Sequence, residues 1–132
     1  MILVDTSVII SLFKNIKNKA TEKLEQIINT QMPYGINLYI YQEILQGAKN
    51  EQEFNLLKEY LGSQKFYYLK NGHKSHEEAA KLYFKCRKAG YTVKSTIDLL
   101  IVQTAIENKL SLLHDDSDFV NIAKIVDELQ LM

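Results

Sequence analysis

The 132-residue sequence predicts an α/β domain, a mainly parallel sheet of four or five strands flanked by helices. Three observations predict it. Short β-prone apolar runs alternate with helical periodicities along the chain, the order that builds a parallel sheet with helices packed on it. No repeat, low-complexity tract or Pro/Gly/Ser-rich linker divides the sequence, so residues 1–132 form a single domain that buries roughly two-thirds of its unfolded surface. A composition of 46% hydrophobic and 24% charged residues is that of a folded chain.

The elements follow in order. Ile2-Leu3-Val4 is a short buried strand, and Asp5-Thr6-Ser7 leads into a helix carrying Val8, Ile9, Leu12 and Phe13. Ala20 to Thr30 places Leu24, Ile27 and Ile28 on one helical face. After Pro33, Tyr34 to Ile40 is rich in β-formers and predicts a second strand, followed by a short helix from Tyr41 to Gln46 that Gly47 stops. Glu51 to Leu61 is helical and closes at Gly62, and Phe66 to Leu69 is strand-like. Ser75 to Ala89 is a helix with a capping-box start (Ser75, Glu78) and a stop at Gly90. Thr96 to Asn108 is a strongly apolar helix, Leu110 to Leu113 a fourth strand, and Phe119 to Ile125 a last helix.

No apolar run approaches the roughly 20 residues of a membrane span. The start has neither a basic segment nor a small-residue cleavage site, and the lone Cys86 cannot pair internally, so a cytoplasmic setting is expected. The formal net charge of zero hides an uneven distribution. From Lys65 to Lys94 eight cationic side chains face two acids, whereas from Asp98 onward seven acids face two lysines. Such a pattern reads either as solvated surface or as a phosphate-attracting patch beside a cation-holding one.

The acids fall at telling places. Asp5 follows the first strand, and Asp115, Asp116 and Asp118 follow the fourth; Glu43 lies in the short helix after the second, and Asp98 in the first turn of the apolar helix. All are candidates for one edge of the sheet, where parallel α/β folds place their binding crevice. Carboxylates crowded there repel one another unless a cation neutralises them, and an all-oxygen set suits a hard ion such as Mg²⁺ or Mn²⁺. Each also has a structural reading: Asp5, Asp98 and Asp116 sit at helix starts, where a carboxylate accepts from free N–H groups, and Ser95 with Asp98 matches a capping box.

The motifs Val4-Asp5-Thr6-Ser7, Gln42-Glu43-Ile44-Leu45-Gln46-Gly47, Thr96-Ile97-Asp98-Leu99-Leu100-Ile101 and His114-Asp115-Asp116-Ser117-Asp118-Phe119 follow one another in the spacing of a known family. The sequence resembles the PIN-domain family, and more narrowly its VapC-type toxin branch, over its whole length. The resemblance implies a PIN-like three-layer fold and a Mg²⁺- or Mn²⁺-dependent endoribonuclease. Asp5, Glu43, Asp98 and Asp116 match the family's catalytic, metal-binding acids, and Asp118 an acid that helps hold the metal or its water. Thr6 or Ser7 matches a water-orienting hydroxyl, with Asp115 beside the site. The same resemblance implies one or two ions, an RNA substrate, a homodimer, and a small antitoxin whose tail covers or enters the acidic pocket. Since a guanidinium can replace a metal among carboxylates, that partner is expected to send an Arg toward them. RNA would approach across the lysine-rich middle, with Lys70, Lys74 and Lys94 as candidate contacts. Two departures stand out: Ser117 where many relatives carry Arg, and Val102-Gln103 where many carry an alanine pair.

Other readings stay open. A housekeeping RNA-processing nuclease or a catalytically silent PIN module would have the same fold. A phospho-acceptor receiver domain needs adjacent acids after the first strand, and an aspartate-nucleophile phosphatase needs a second Asp at Ser7; neither pattern is present. His73 and His76 have zinc-like spacing but no third ligand nearby. His114 is read as strand-end packing, Cys86 as core, and the tyrosines as packing or base-stacking surfaces.

Overall fold

A computed structural model describes all of residues 1–132. Strands β1 (Ile2–Val4), β2 (Tyr34–Ile36), β3 (Lys65–Phe66), β4 (Ser111–Leu113) and β5 (Gln130–Leu131) form one sheet in the order β3-β2-β1-β4-β5. Every pairing is parallel. Seven helices flank it: α1 (Thr6–Phe13), α2 (Lys19–Asn29), α3 (Leu38–Gln46), α4 (Glu51–Gly62), α5 (His73–Lys88), α6 (Thr96–Glu107) and α7 (Ser117–Ala123). The expected α/β class and mainly parallel sheet are found, with five strands. β5 is a C-terminal edge strand that the periodicity analysis did not place.

The chain runs outward from β1 in both directions, to β2 on one side and β4 on the other, so the connections diverge between β1 and β4. At such a switch point the loops leaving adjacent strands part and leave a crevice. Asp5 leaves β1 here, and Asp115 and Asp116 leave β4. The β1–β4 ladder extends one step past the strands, Asp5 N–H donating to the Leu113 carbonyl at 2.9 Å.

The core is the sheet's Ile2, Leu3, Val4, Ile36, Leu112 and Leu113 packed against helical side chains such as Val8, Leu24, Ile27, Ile40 and Phe119. α6 is buried on all sides from Leu99 to Ala105, as a helix apolar around its whole circumference must be. Its first turn therefore lies close under the surface, which determines the environment of Asp98.

Three local expectations are corrected. The second strand ends at Ile36, not Ile40, and α3 begins at Leu38. Asn37 causes this: its side-chain oxygen accepts from Ile40 N–H at 2.8 Å and its amide donates to Thr104 Oγ1 at 3.1 Å. A buried cap anchored at both ends overrides the β preference of Tyr39 and Ile40. Second, the strand expected over Phe66 to Leu69 is Lys65–Phe66. Third, α5 begins at His73 after Gly72, whose φ of 54° few other residues adopt, so Ser75 is not the N-cap. Ser75 Oγ instead accepts from Asn71 N–H at 3.0 Å. Gly35 marks a close approach between β2 and β3, since a Cβ there would lie 2.4 Å from the Lys65 carbonyl oxygen.

Candidate active site

Asp5 is the N-cap of α1, only 5% exposed. Its Oδ2 accepts from Ser7 N–H at 3.2 Å and from Ser7 Oγ at 2.7 Å. Thr6, one residue on, donates from its hydroxyl to Glu43 Oε1 at 2.9 Å, tying α1 to α3. Asp116 is the N-cap of α7, and its Oδ1 accepts from Asp118 N–H at 2.9 Å. Asp98 stands in the first turn of α6 behind Ser95, which makes no side-chain capping bond. The expected Ser95–Asp98 capping box is therefore not formed.

These segments bring their acids together. Asp98, Asp116 and Asp118 each place a carboxylate oxygen within 4.8 Å of the others. Asp5 and Glu43 stand close enough to act on Asp98 through their charge. Burial, then repulsion from Asp5, Asp116, Glu43 and Asp118, pushes the Asp98 carboxyl up to about 7. Burial also raises Asp5, opposed by the hydrogen bonds from Ser7 and Thr6 and reinforced by Asp116. Glu43 is raised by burial, lowered by the Thr6 hydroxyl and raised again by Asp5. No cation answers this charge, for the molecule's two ion pairs are Lys17–Glu25 and Lys81–Glu78. An uncompensated set of carboxylate oxygens is the donor chemistry a hard divalent ion requires, so these residues fit Mg²⁺ or Mn²⁺.

The other candidates separate. Thr6 and Ser7 both spend their hydroxyl protons on acids, so both hold carboxylates in place. Asp115 turns away from the cluster: Oδ2 accepts from Asn18 Nδ2 at 3.3 Å, and its N–H donates to Ser7 Oγ at 3.2 Å. His114 rests against Phe119, ring centroids 5.6 Å apart, and its Nδ1 accepts from Asp116 N–H. Lys70 N–H donates to Glu107 Oε1 at 2.7 Å, at the far end of α6. Nine residues at about 1.5 Å each put that end about 14 Å along the helix from Asp98. Lys74, in the first turn of α5, starts from the same end. α5 then runs back alongside α6, so Lys88 at its C-terminus, and Lys94 just before α6, lie toward the acids. Cys86 is fully buried, as expected of a core thiol.

Two contributors escaped the sequence analysis. Tyr91 donates its hydroxyl to Asp118 Oδ1 at 2.6 Å, and that bond, with burial, raises the phenol. Asn18, the N-cap of α2, holds Asp115. Neither carries a signal in sequence, since the partners lie 27 and 97 residues away.

The PIN domain family model matches residues 2–125. Ribonuclease VapC11 of Mycobacterium tuberculosis is 30% identical over 134 residues, covering 95% of this chain and 93% of its own. VapC ribonuclease Mb1587 of Mycobacterium bovis matches equally. Among solved structures, VapBC-1 from nontypeable Haemophilus influenzae superposes with a TM-score of 0.72 at 23% identity, over 100% of this chain and 97% of that one. VapBC2 from Rickettsia felis, bound to a DNA fragment from its promoter, gives 0.76 at 17% identity, over 100% and 98%. With the five-stranded parallel sheet, the acids at its switch point and these relatives, the chain belongs to the PIN-domain family, in its VapC-type branch.

Proposed function

We propose that this protein is a divalent-metal-dependent endoribonuclease, the toxin of a toxin–antitoxin pair. The observation that carries the proposal is the meeting of Asp98, Asp116 and Asp118 at the switch point, with Asp5 and Glu43 acting on Asp98 and no cation to answer them. The names of the VapC relatives and the VapBC architecture of the structural neighbours support the same reading.

In this reading Asp5, Glu43, Asp98 and Asp116, helped by Asp118, hold one or two Mg²⁺ or Mn²⁺ ions. Such ions activate water for in-line attack on a phosphodiester and stabilise the charge on phosphate and leaving oxygen. The chain's own residues supply position. Thr6 fixes the rotamer of Glu43, and Ser7 ties Asp5 to the Asp115 backbone, so β1 and β4 present their acids in register. Lys88 and Lys94 attract the RNA backbone toward the acids, an attraction that weakens with salt.

An antitoxin has a surface to use. A groove of about 700 Å³ runs between α1, α3 and α4, lined by Ile10, Phe13, Ile44, Leu56, Leu57 and Tyr60. Phe13, Leu56 and Tyr60 are 40%, 62% and 47% exposed, apolar area that a helix or extended segment of a small partner would cover. From there an Arg reaching the carboxylates would replace the ion through bidentate, charge-assisted hydrogen bonds. The homodimer and the cytoplasmic setting belong to the same reading; no helix is long and apolar enough to cross a membrane.

The test is cleavage of RNA in Mg²⁺ or Mn²⁺, with and without chelator, by wild type and Asp98→Asn. Cleavage should require the ion and disappear in the folded variant. Full activity in folded Asp98→Asn, or activity indifferent to chelator, overturns the proposal.

A further inference from the structure

Asp118 is the acid with the weakest reason to stay where it is. It sits on the first turn of α7, partly open to solvent, on a side chain with two free dihedrals. Asp98 and Asp116 stand beside it with the same charge, and no lysine or arginine pairs with it. Repulsion alone would swing it outward. One hydrogen bond reaches its carboxylate, the 2.6 Å contact from the Tyr91 hydroxyl to Oδ1.

Tyr91 is itself held independently of the acids. Gly90, at φ 92°, reverses the chain after α5, and Tyr91 N–H then donates to the Cys86 carbonyl at 2.9 Å. The ring packs on the hydrophobic core, and Val93 two residues on is buried. The phenol thus projects from a fixed turn, and a short O–H···O⁻ bond is the strong, charge-assisted kind. We propose that Tyr91 is a positioning residue: by holding Oδ1 of Asp118 it turns the other carboxylate oxygen toward the ion shared with Asp98 and Asp116. This rests on the metal site proposed above.

The bond also links α7 to the connection that leads into the helix bearing Asp98. Tyr91 belongs to the α5–α6 connection, seven residues before Asp98, and Asp118 to α7. A tether serving only to dock α7 would be indifferent to the ion, whereas a positioning contact is not. Partners of this kind change metal affinity by about 10–100-fold when removed.

The experiment measures Mn²⁺ affinity by calorimetry, and the Mn²⁺ electron paramagnetic resonance spectrum, in wild type, Tyr91→Phe, Asp118→Asn and the double variant. Phe keeps the packed ring and removes the donor. Tyr91→Phe should bind Mn²⁺ about tenfold more weakly, with an altered spectrum. Its effect in the Asp118→Asn background should be much smaller, because the residue it acts through is already changed. Unchanged affinity in Tyr91→Phe, or the same tenfold loss with Asp118 already replaced, overturns the assignment while leaving the metal site intact. A wild type that binds no Mn²⁺ overturns the metal site, and this assignment with it.

Discussion

Replacing Asp98 by Asn removes one negative charge from the first turn of α6 and keeps the side chain's shape. In the metal-free protein the Asp98 carboxyl is pushed from 3.8 to about 7, by burial first and by four neighbouring acids after it. Holding such a carboxyl ionised costs about 4 kcal/mol at about 1.4 kcal/mol per pKa unit. Water reaches the partly exposed side chain and screens this to about 2 kcal/mol. The sign follows from proton binding. Below pH 4 the group is protonated in both the folded and the unfolded chain, and nothing is lost. Between about 4 and 7 the folded chain keeps a proton that the unfolded chain has released, so stability falls as pH rises, and the loss is complete above about 7. Asn does not titrate and escapes the loss. Asp98→Asn should therefore melt about 6–10 °C above wild type at pH 8 in chelator, and the gap should close near pH 4. Calorimetry at pH 4, 6 and 8 checks this. A gap independent of pH, or a variant less stable than wild type at pH 8, refutes the crowding argument.

Saturating Mn²⁺ at about 100 times its dissociation constant should stabilise wild type by about 3 kcal/mol, and Asp98→Asn by clearly less; equal gains would place the ion elsewhere. Asn37→Ala removes the acceptor for Ile40 N–H and the bond to Thr104, and should cost about 2 kcal/mol in urea unfolding; a cost under about 0.5 kcal/mol would mean that α3 does not depend on this cap. Lys88→Gln with Lys94→Gln should raise KM for RNA and flatten its salt dependence more than Lys70→Gln with Lys74→Gln; equal effects would contradict a substrate path confined to the acid-bearing end of α6.

The motif acids were legible because each lies just beyond a short, strongly patterned element: Asp5 after Ile2–Val4, Asp116 after Ser111–Leu113, Asp98 at the head of an apolar helix. Strand–helix alternation then places strand ends on one edge without knowledge of the strand order. What was hidden is non-local. The end of β2 was misjudged because Asn37 is held by Thr104, 67 residues away, and nothing nearby announces that partner. The lysine-rich stretch reads in sequence as one patch, because charge counted along a chain ignores direction. α5 starts at the Glu107 end of α6, so Lys70 and Lys74 enter at the end of α6 opposite Asp98, whereas Lys94 lies four residues before it. Tyr91 looked like one packing tyrosine among eight; only the folded chain brings its hydroxyl to Asp118.

Capping and the proposed metal site do not exclude each other. Asp5 caps α1 through Oδ2 and Asp116 caps α7 through Oδ1, bonds that stabilise by about 0.5–2 kcal/mol each. A cap needs one carboxylate oxygen, so an acid can hold a helix N-terminus and still offer its other oxygen to an ion. At these two positions the capping bond and the positive helix end offset part of the cost of gathering like charges. Asp98 has the positive helix end but no capping bond. It lies in the first turn of α6 and is half-buried, just ahead of the stretch from Leu99 to Ala105 that is buried on all sides. The metal-free strain of the site is thus greatest at a residue that no capping bond holds. A cation bound there, as proposed above, would offset that strain.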